Sequence, residues 1–337
     1  MASETVPMID LAAARSGDAA ALRRTSLEID AALARSGFFI VTGHGVPQSV
    51  TSAAVRAMEG FFAAPMDAKM AIRSTAKGSP RGYLPFGLET LSQTEGKSAP
   101  PDLKEGFGMG PFWLDDSVRM AGTGQSYSCN VWPPEPAFRA AIEIFYAAME
   151  GLTADLMALF AAAMDLDQDF FTDRFTTHNS TLRLIHYPPL NQPPAPDQLR
   201  AGVHTDYGAL TILLPQDRPG GLQVWRPDGA WENVAAPPGG FVINIGDLMM
   251  RWSNDTWLSS PHWVVNPPKD IGSASRRYSM AYFCNPNDDV LIECLANCCS
   301  PSRPAKHAPI LAGAHRTEKI EKSKQRAGNA LKSLFPC

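Results

Sequence analysis

No dense run of lysine or arginine occurs in this chain of 337 residues, and 30 basic against 34 acidic side chains leave a formal net charge of −4. That balance argues against nucleic acid as the main partner. No segment reads as long and apolar enough to cross a bilayer, and Met1-Ala2-Ser3-Glu4-Thr5-Val6 lacks the basic start and apolar core of a secretory leader, so a cytoplasmic protein away from membranes is expected. Cysteine is scarce. The six include Cys294, Cys298 and Cys299 close together and Cys337 at the end, with no CxxC pair and no adjacent histidine. In a reducing compartment they read as free thiols rather than metal ligands, with a Cys337 link between chains left open. No internal repeat or low-complexity domain is evident. An apolar content of 45% is enough for a substantial core, in one large or two ordinary domains.

What the chain does have is His204-Thr205-Asp206 and, much later, His262. On a strand, side chains at i and i+2 leave one face, so His204 and Asp206 can share a metal while Thr205 points away. Two imidazoles and one carboxylate form the facial set that suits non-haem ferrous iron and leaves the opposite face of an octahedron open. Bringing His262 back to the other two needs a closed or double-layered sheet. Strand signals recur throughout this half: Leu210-Thr211-Ile212-Leu213-Leu214, Leu222-Gln223-Val224, Phe241-Val242-Ile243-Asn244-Ile245, His262-Trp263-Val264-Val265 and Arg277-Tyr278-Ser279-Met280-Ala281-Tyr282-Phe283. They predict a jelly roll. Within the last run Arg277 and Ser279 face the same interior, and a guanidinium fork beside a hydroxyl is suited to gripping a carboxylate.

Helical periodicity covers residues 18–34 and 47–62. Residues 137–165 carry a longer stripe, in which Ile142, Phe145, Tyr146, Met149, Leu152, Leu156, Leu159 and Phe160 form one apolar face and predict a helix buttressing the sheet. A Gly/Pro/Ser-rich section runs from 76 to 132. The mixed-charge stretch 316–332 reads as a solvated C-terminal helix or lid. The expected organisation is therefore residues 1–135 as an N-terminal region flanking a pocket and 136–337 as buttressing helix, catalytic core and C-terminal helical lid, all in one integrated unit. Its fold class is mainly β with flanking α, a double-stranded β-helix buttressed by helices.

These motifs resemble the isopenicillin N synthase-like branch of the iron(II) and 2-oxoglutarate-dependent dioxygenases over nearly the whole length. The family's His-x-Asp…His triad falls on His204, Asp206 and His262, and its Arg-x-Ser falls on Arg277 and Ser279. Val6-Pro7-Met8-Ile9-Asp10-Leu11 and Gly37-Phe38-Phe39-Ile40-Val41-Thr42-Gly43-His44-Gly45-Val46-Pro47 are similar to the family's opening strands. The resemblance implies Fe(II), 2-oxoglutarate as co-substrate and O2, with Tyr187 giving the keto acid a further hydrogen bond; Ile185 stands where many plant members carry Asn. It implies decarboxylation to succinate and carbon dioxide coupled to oxidation of an unactivated C–H bond in a small-molecule metabolite, hydroxylation first. Oxidative cyclisation or desaturation in natural-product biosynthesis is the alternative. An oxidase that dispenses with 2-oxoglutarate and a non-catalytic binding protein are further readings. A monomer or weak homo-oligomer is expected.

For the substrate the candidates are Arg183, Tyr207, Phe283, Arg81 and Tyr83, with Lys104 as a further cation. Glu105 is a carboxylate that could instead pair with Lys104 or Arg81. Several segments look like fungal thymine dioxygenases, yet Pro80 stands where those enzymes carry Asn and offers no side-chain amide to a pyrimidine. Trp263 replaces the Arg that commonly follows the distal His. His44 reads as a turn residue, and His178, His307 and His315 as surface or loop residues.

Overall fold

The computed structural model describes residues 6–73, 80–92, 99–114, 129–190, 192–216, 218, 221–268 and 271–321. Cys337, much of the 76–132 section and the part of the expected C-terminal helix or lid beyond 321 lie outside the described residues. Alternating apolar positions build β1 (Met8–Asp10), β2 (Phe38–Thr42), β3 (Gly82–Leu84), β4 (Glu105–Met109), β5 (Thr181–Tyr187), β6 (Ala201–His204), β7 (Leu210–Pro215), β8 (Leu222–Trp225), β9 (Trp231–Asn233), β10 (Phe241–Ile245), β11 (His262–Val264) and β12 (Arg277–Cys284). They assemble into an eight-stranded sheet of order β1-β2-β10-β7-β12-β5-β4-β3 and a four-stranded sheet of order β6-β11-β8-β9. The larger sheet takes its edge strands β1-β2 and β4-β3 from the first half of the chain and its central strands from the second, whereas the smaller sheet comes from the second half alone.

Strand alternation decides what each face of the larger sheet meets. Register pairs Arg277 with Tyr187, Ser279 with Ile185 and Ala281 with Arg183, which puts these side chains on one face. The intervening Tyr278, Met280, Tyr282, Leu182 and Leu184 join the main core on the other. That core is completed by the helices Ala19–Ser36, Gln48–Ala63 and Pro136–Ala163. The first is capped by Asp18, whose side chain accepts from Ala20 N (2.9 Å), and stopped by Gly37 at φ +70°. A Cβ at Gly37 would lie 1.8 Å from Leu258 O, so glycine is required there for space as well as conformation. Phe38, Ile40 and Val242 of the large sheet and Leu222 and Val224 of the small one form a second cluster between the layers.

Every residue of the predicted apolar stripe, Ile142 to Phe160, is buried. The same helix corrects one expectation: Pro136–Ala163 is long and apolar enough to cross a bilayer by length and composition, although 56% of its apolar window is buried within the protein. Two histidines are also corrected. His178 is buried and bonded to Glu150 (2.8 Å), and His315 is buried 3.8 Å from the Asp247 carboxylate. Residues 312–321 are helical, and that helix is tied to the body by Arg316 with Asp288 and by Lys319 with Asp247 (2.6 Å).

Candidate metal centre and co-substrate site

Pairing of β6 with β11 sets His204 directly opposite His262, with ring centroids 4.3 Å apart. β6 ends at His204, so Asp206 is aimed by the turn that follows rather than by strand alternation. Asp247 N donates to Asp206 O (2.8 Å). A Cβ on Gly246 would sit 2.4 Å from Gly208 O and 2.8 Å from Asp206 O, a closeness only glycine permits. The side chains of His204, Asp206 and His262 each offer one ligand atom, all within 4.8 Å of one another.

Each ligand's other polar atom is already committed. His204 Nδ1 donates to Gly202 O (2.8 Å) and His262 Nδ1 to Ser260 O (3.1 Å), which fixes the tautomer that leaves both Nε2 lone pairs free. Those nitrogens lie 3.9 and 3.8 Å from Asp206 Oδ1. Asp206 Oδ2 accepts from Thr211 Oγ1 (2.5 Å) and Asn244 Nδ2 (2.7 Å), so Oδ1 is the oxygen turned to the histidines. Burial and the neighbouring His262 hold His204 down at about 3, so its imidazole is neutral at neutral pH. Burial raises Asp206, but His262, His204, Asn244 and Thr211 together bring it below the usual carboxylate range. Two imidazole nitrogens and one carboxylate oxygen, each oriented by a second bond, can hold an iron(II) ion.

Arg277, Ser279 and Tyr187 are buried on one face of the large sheet, Arg277 directly across from Tyr187. Arg277 Nη1 donates to Arg218 O (2.9 Å). Sequence reasoning missed a second guanidinium here. Arg200 is fully buried with its Cζ 5.6 Å from the Tyr187 ring centre, and burial together with Arg277 lowers it to about 10. Its sequence surroundings offered no regular pattern to find it by, since β6 begins only at Ala201 and its register against β11 shifts before His204. Two like charges buried side by side make this corner receptive to an anion.

Among the substrate candidates, Arg183 lies on the same face as Tyr187, is 24% exposed at the side chain, and gives one nitrogen to Glu89 Oε1 (2.6 Å). Glu89 was not singled out from sequence. Burial opposes its ionisation, but Arg183 and Lys104 hold it at about 2. Lys104 is buried between Asp102 (3.2 Å) and Glu89 (3.4 Å), while Asp102 also accepts from Gly202 N (3.1 Å), so this ion cluster braces β6. Phe283 shares the Arg183 face, and Tyr207 follows Asp206; both are half-buried, with Lys319 Nζ 5.6 Å from the Tyr207 ring centre. Tyr83 is corrected, while Arg81 stays a candidate. Both are sealed from solvent: Arg81 donates to Thr181 Oγ1 (3.1 Å), and Tyr83, paired in register with Phe107 and thus on the helix side, donates to Glu105 Oε2 (2.5 Å). Glu105 pairs with Lys69 (2.9 Å) and His186 (2.7 Å) rather than with Lys104 or Arg81.

Comparison with known proteins adds three findings. Residues 178–286 match the 2OG-Fe(II) oxygenase superfamily, and residues 6–135 match the N-terminal region described for non-haem dioxygenases in morphine synthesis. The chain is 34% identical to the 2-oxoglutarate-Fe(II) type oxidoreductase hxnY of Emericella nidulans over 92% of this chain and 88% of that protein, and 35% identical to the proline hydroxylase buaE of Petromyces alliaceus over 82% and 86%. The crystal structure of Neurospora crassa thymine 7-hydroxylase with 2-oxoglutarate and thymine superposes with a TM-score of 0.81 at 28% identity, covering 98% of this chain and 99% of that one.

Proposed function

This chain belongs to the iron(II) and 2-oxoglutarate-dependent oxygenase superfamily, and from that membership we propose the roles of its individual side chains. It is an oxidoreductase acting on small molecules. His204 Nε2, His262 Nε2 and Asp206 Oδ1 are the iron ligands. Arg277 and Ser279 anchor the distal carboxylate of 2-oxoglutarate, and Tyr187 adds a hydrogen bond. Bound there, iron(II) and 2-oxoglutarate supply the oxidising chemistry, with O2 consumed, succinate and carbon dioxide released, and one substrate C–H bond oxidised. The protein's part is to orient that bond and to exclude others.

The observation that carries this reading is the preset geometry of the triad, in which both Nδ1 atoms and Asp206 Oδ2 are already bonded and three ligand atoms remain to converge. Hydroxylation is the favoured outcome, because hydroxylases stand among the chain's relatives. Arg183, steadied by Glu89, meets a carbonyl or carboxylate of the substrate while Phe283 and Tyr207 wall its apolar part. The substrate on this reading is a free cytoplasmic metabolite met by a monomer or weak homo-oligomer. The test is spectroscopic: anaerobic protein with iron(II) and 2-oxoglutarate gives the weak visible charge-transfer band, lost in Arg277→Ala. A wild type that shows no band, or a His204→Ala protein with full turnover, overturns the assignment. Succinate release across amino acids, nucleobases and natural-product intermediates then ranks substrates, and a mass gain of one oxygen against a loss of two hydrogens separates hydroxylation from desaturation or cyclisation.

A further inference from the structure

The strand ladder places only the two histidines of the triad. β6 ends at His204 and β11 begins at His262, so Asp206 lies past the end of one strand and Ser260 before the start of the other. One residue outside the triad reaches both of these irregular segments. Asp247, the first residue of the helix Asp247–Trp252 that follows β10, is buried; its N–H donates to Asp206 O (2.8 Å), and its Oδ1 accepts from Ser259 Oγ (2.8 Å). Ser259 precedes Ser260, whose carbonyl accepts from His262 Nδ1 (3.1 Å). The neighbouring amides add to the grip, with Gly246 N donating to Ala209 O (2.9 Å) and Leu248 N to Gly208 O (3.1 Å).

The other carboxylate oxygen, Oδ2, meets the helix of residues 312–321. Lys319 Nζ lies 2.6 Å from it and the buried His315 Nε2 3.8 Å from it. A carboxylate this deeply buried is costly unless a cation or hydrogen-bond donor holds it, and Lys319 is that cation. The same ammonium lies 5.6 Å from the ring centre of Tyr207, next to Asp206.

We propose that Asp247 is a positioning residue for the metal centre. It sets the turn carrying Asp206 against the segment that orients His262, and Lys319 acts through it by holding its carboxylate. Docking of the 312–321 helix is then a condition for tight binding of iron(II). The inference rests on the assignment of His204, Asp206 and His262 as the iron ligands.

Anaerobic titration of the full-length protein with iron(II) is the test, run well below the melting temperature of each variant as read by circular dichroism. Asp247→Ala is expected to lose roughly 10- to 100-fold in affinity, the range for removing a group that orients a metal ligand. Ser259→Ala cuts only the link towards His262 and Lys319→Met removes only the cation, so each should lose part of that factor, and Lys319→Arg should recover it. The double variant Asp247→Ala/Lys319→Met should bind no more weakly than Asp247→Ala, because Lys319 then has no carboxylate left to hold. Wild-type affinity in either Ser259→Ala or Lys319→Met overturns the proposal, as does a double variant whose losses multiply; these two milder variants decide the matter where Asp247→Ala does not fold. A wild type that binds iron(II) no more tightly than His204→Ala would instead sink the ligand assignment, so the two failures are told apart.

Discussion

At the scale of single residues, the metal centre depends on groups that would never touch the metal. Asn244 and Thr211 hold Asp206 Oδ2, so that Oδ1 alone faces the two imidazoles. Removing one such partner costs roughly 10- to 100-fold in metal affinity in well-studied sites. Asn244→Ala is therefore expected to weaken iron(II) binding by about that factor with the fold intact, read by anaerobic titration; unchanged affinity would contradict the orienting role. Arg277→Ala removes a buried charged grip of the kind worth about 2–5 kcal/mol, so the KM for 2-oxoglutarate should rise roughly 30- to 4000-fold. Arg200→Met should raise that KM too, though by less, because its guanidinium adds positive charge beside Arg277. If instead KM fell, relief of repulsion between the two arginines would be the dominant effect.

At the scale of elements, the site's strands are fixed from behind by a buried polar cluster. Glu105 on β4 takes bonds from Lys69 on the helix Met66–Ala71, Tyr83 on β3 and His186 on β5. His186 stacks on Tyr278 (centroids 4.7 Å, 18°), so the backs of the strands carrying Tyr187 and Arg277 are locked together. Replacing one partner of a buried ion pair typically costs 3–5 kcal/mol, and Glu105→Gln, which keeps an acceptor, should destabilise by on the order of 3 kcal/mol at neutral pH. The pH dependence has a definite sign. Burial opposes ionisation of Glu105, but His186, Tyr83 and Lys69 hold it at about 2 against an unfolded value of 4.5. Its contribution is present above pH 4.5 and is lost as pH falls towards 2. Denaturant titrations of wild type and variant should therefore converge over that window; a constant gap would show that the carboxylate's ionisation is not what matters.

At the scale of the whole molecule, the large sheet is a joint product of the chain's two halves. β1 and β2 lie along one edge beside β10, while β3 and β4 lie along the other beside β5. Residues 136–337 alone would expose both edges and the helix-facing core, leaving backbone donors and acceptors unpaired. That fragment is expected to lack a cooperative thermal transition by calorimetry. A fragment that melts sharply would mean that the catalytic half is self-sufficient.

Much of this architecture is written in local patterns. The 3.6-residue stripe from Ile142 to Phe160, the period-two runs of the second half and the His204, Asp206, Arg277 and Ser279 spacings depend on neighbours only a few residues apart, so the sequence by itself determined the helix, the strand faces and the candidate ligand set. Other features needed the folded chain. Tyr83 sits beside a pocket-like motif yet faces the helices, because a strand's parity says which residues share a face but not which face is the interior. Arg200 and Glu89 acquire their meaning from partners brought close by register and reversal. Such contacts cost chain entropy that only cooperative packing of the whole molecule can offset, so tertiary structure alone decided them.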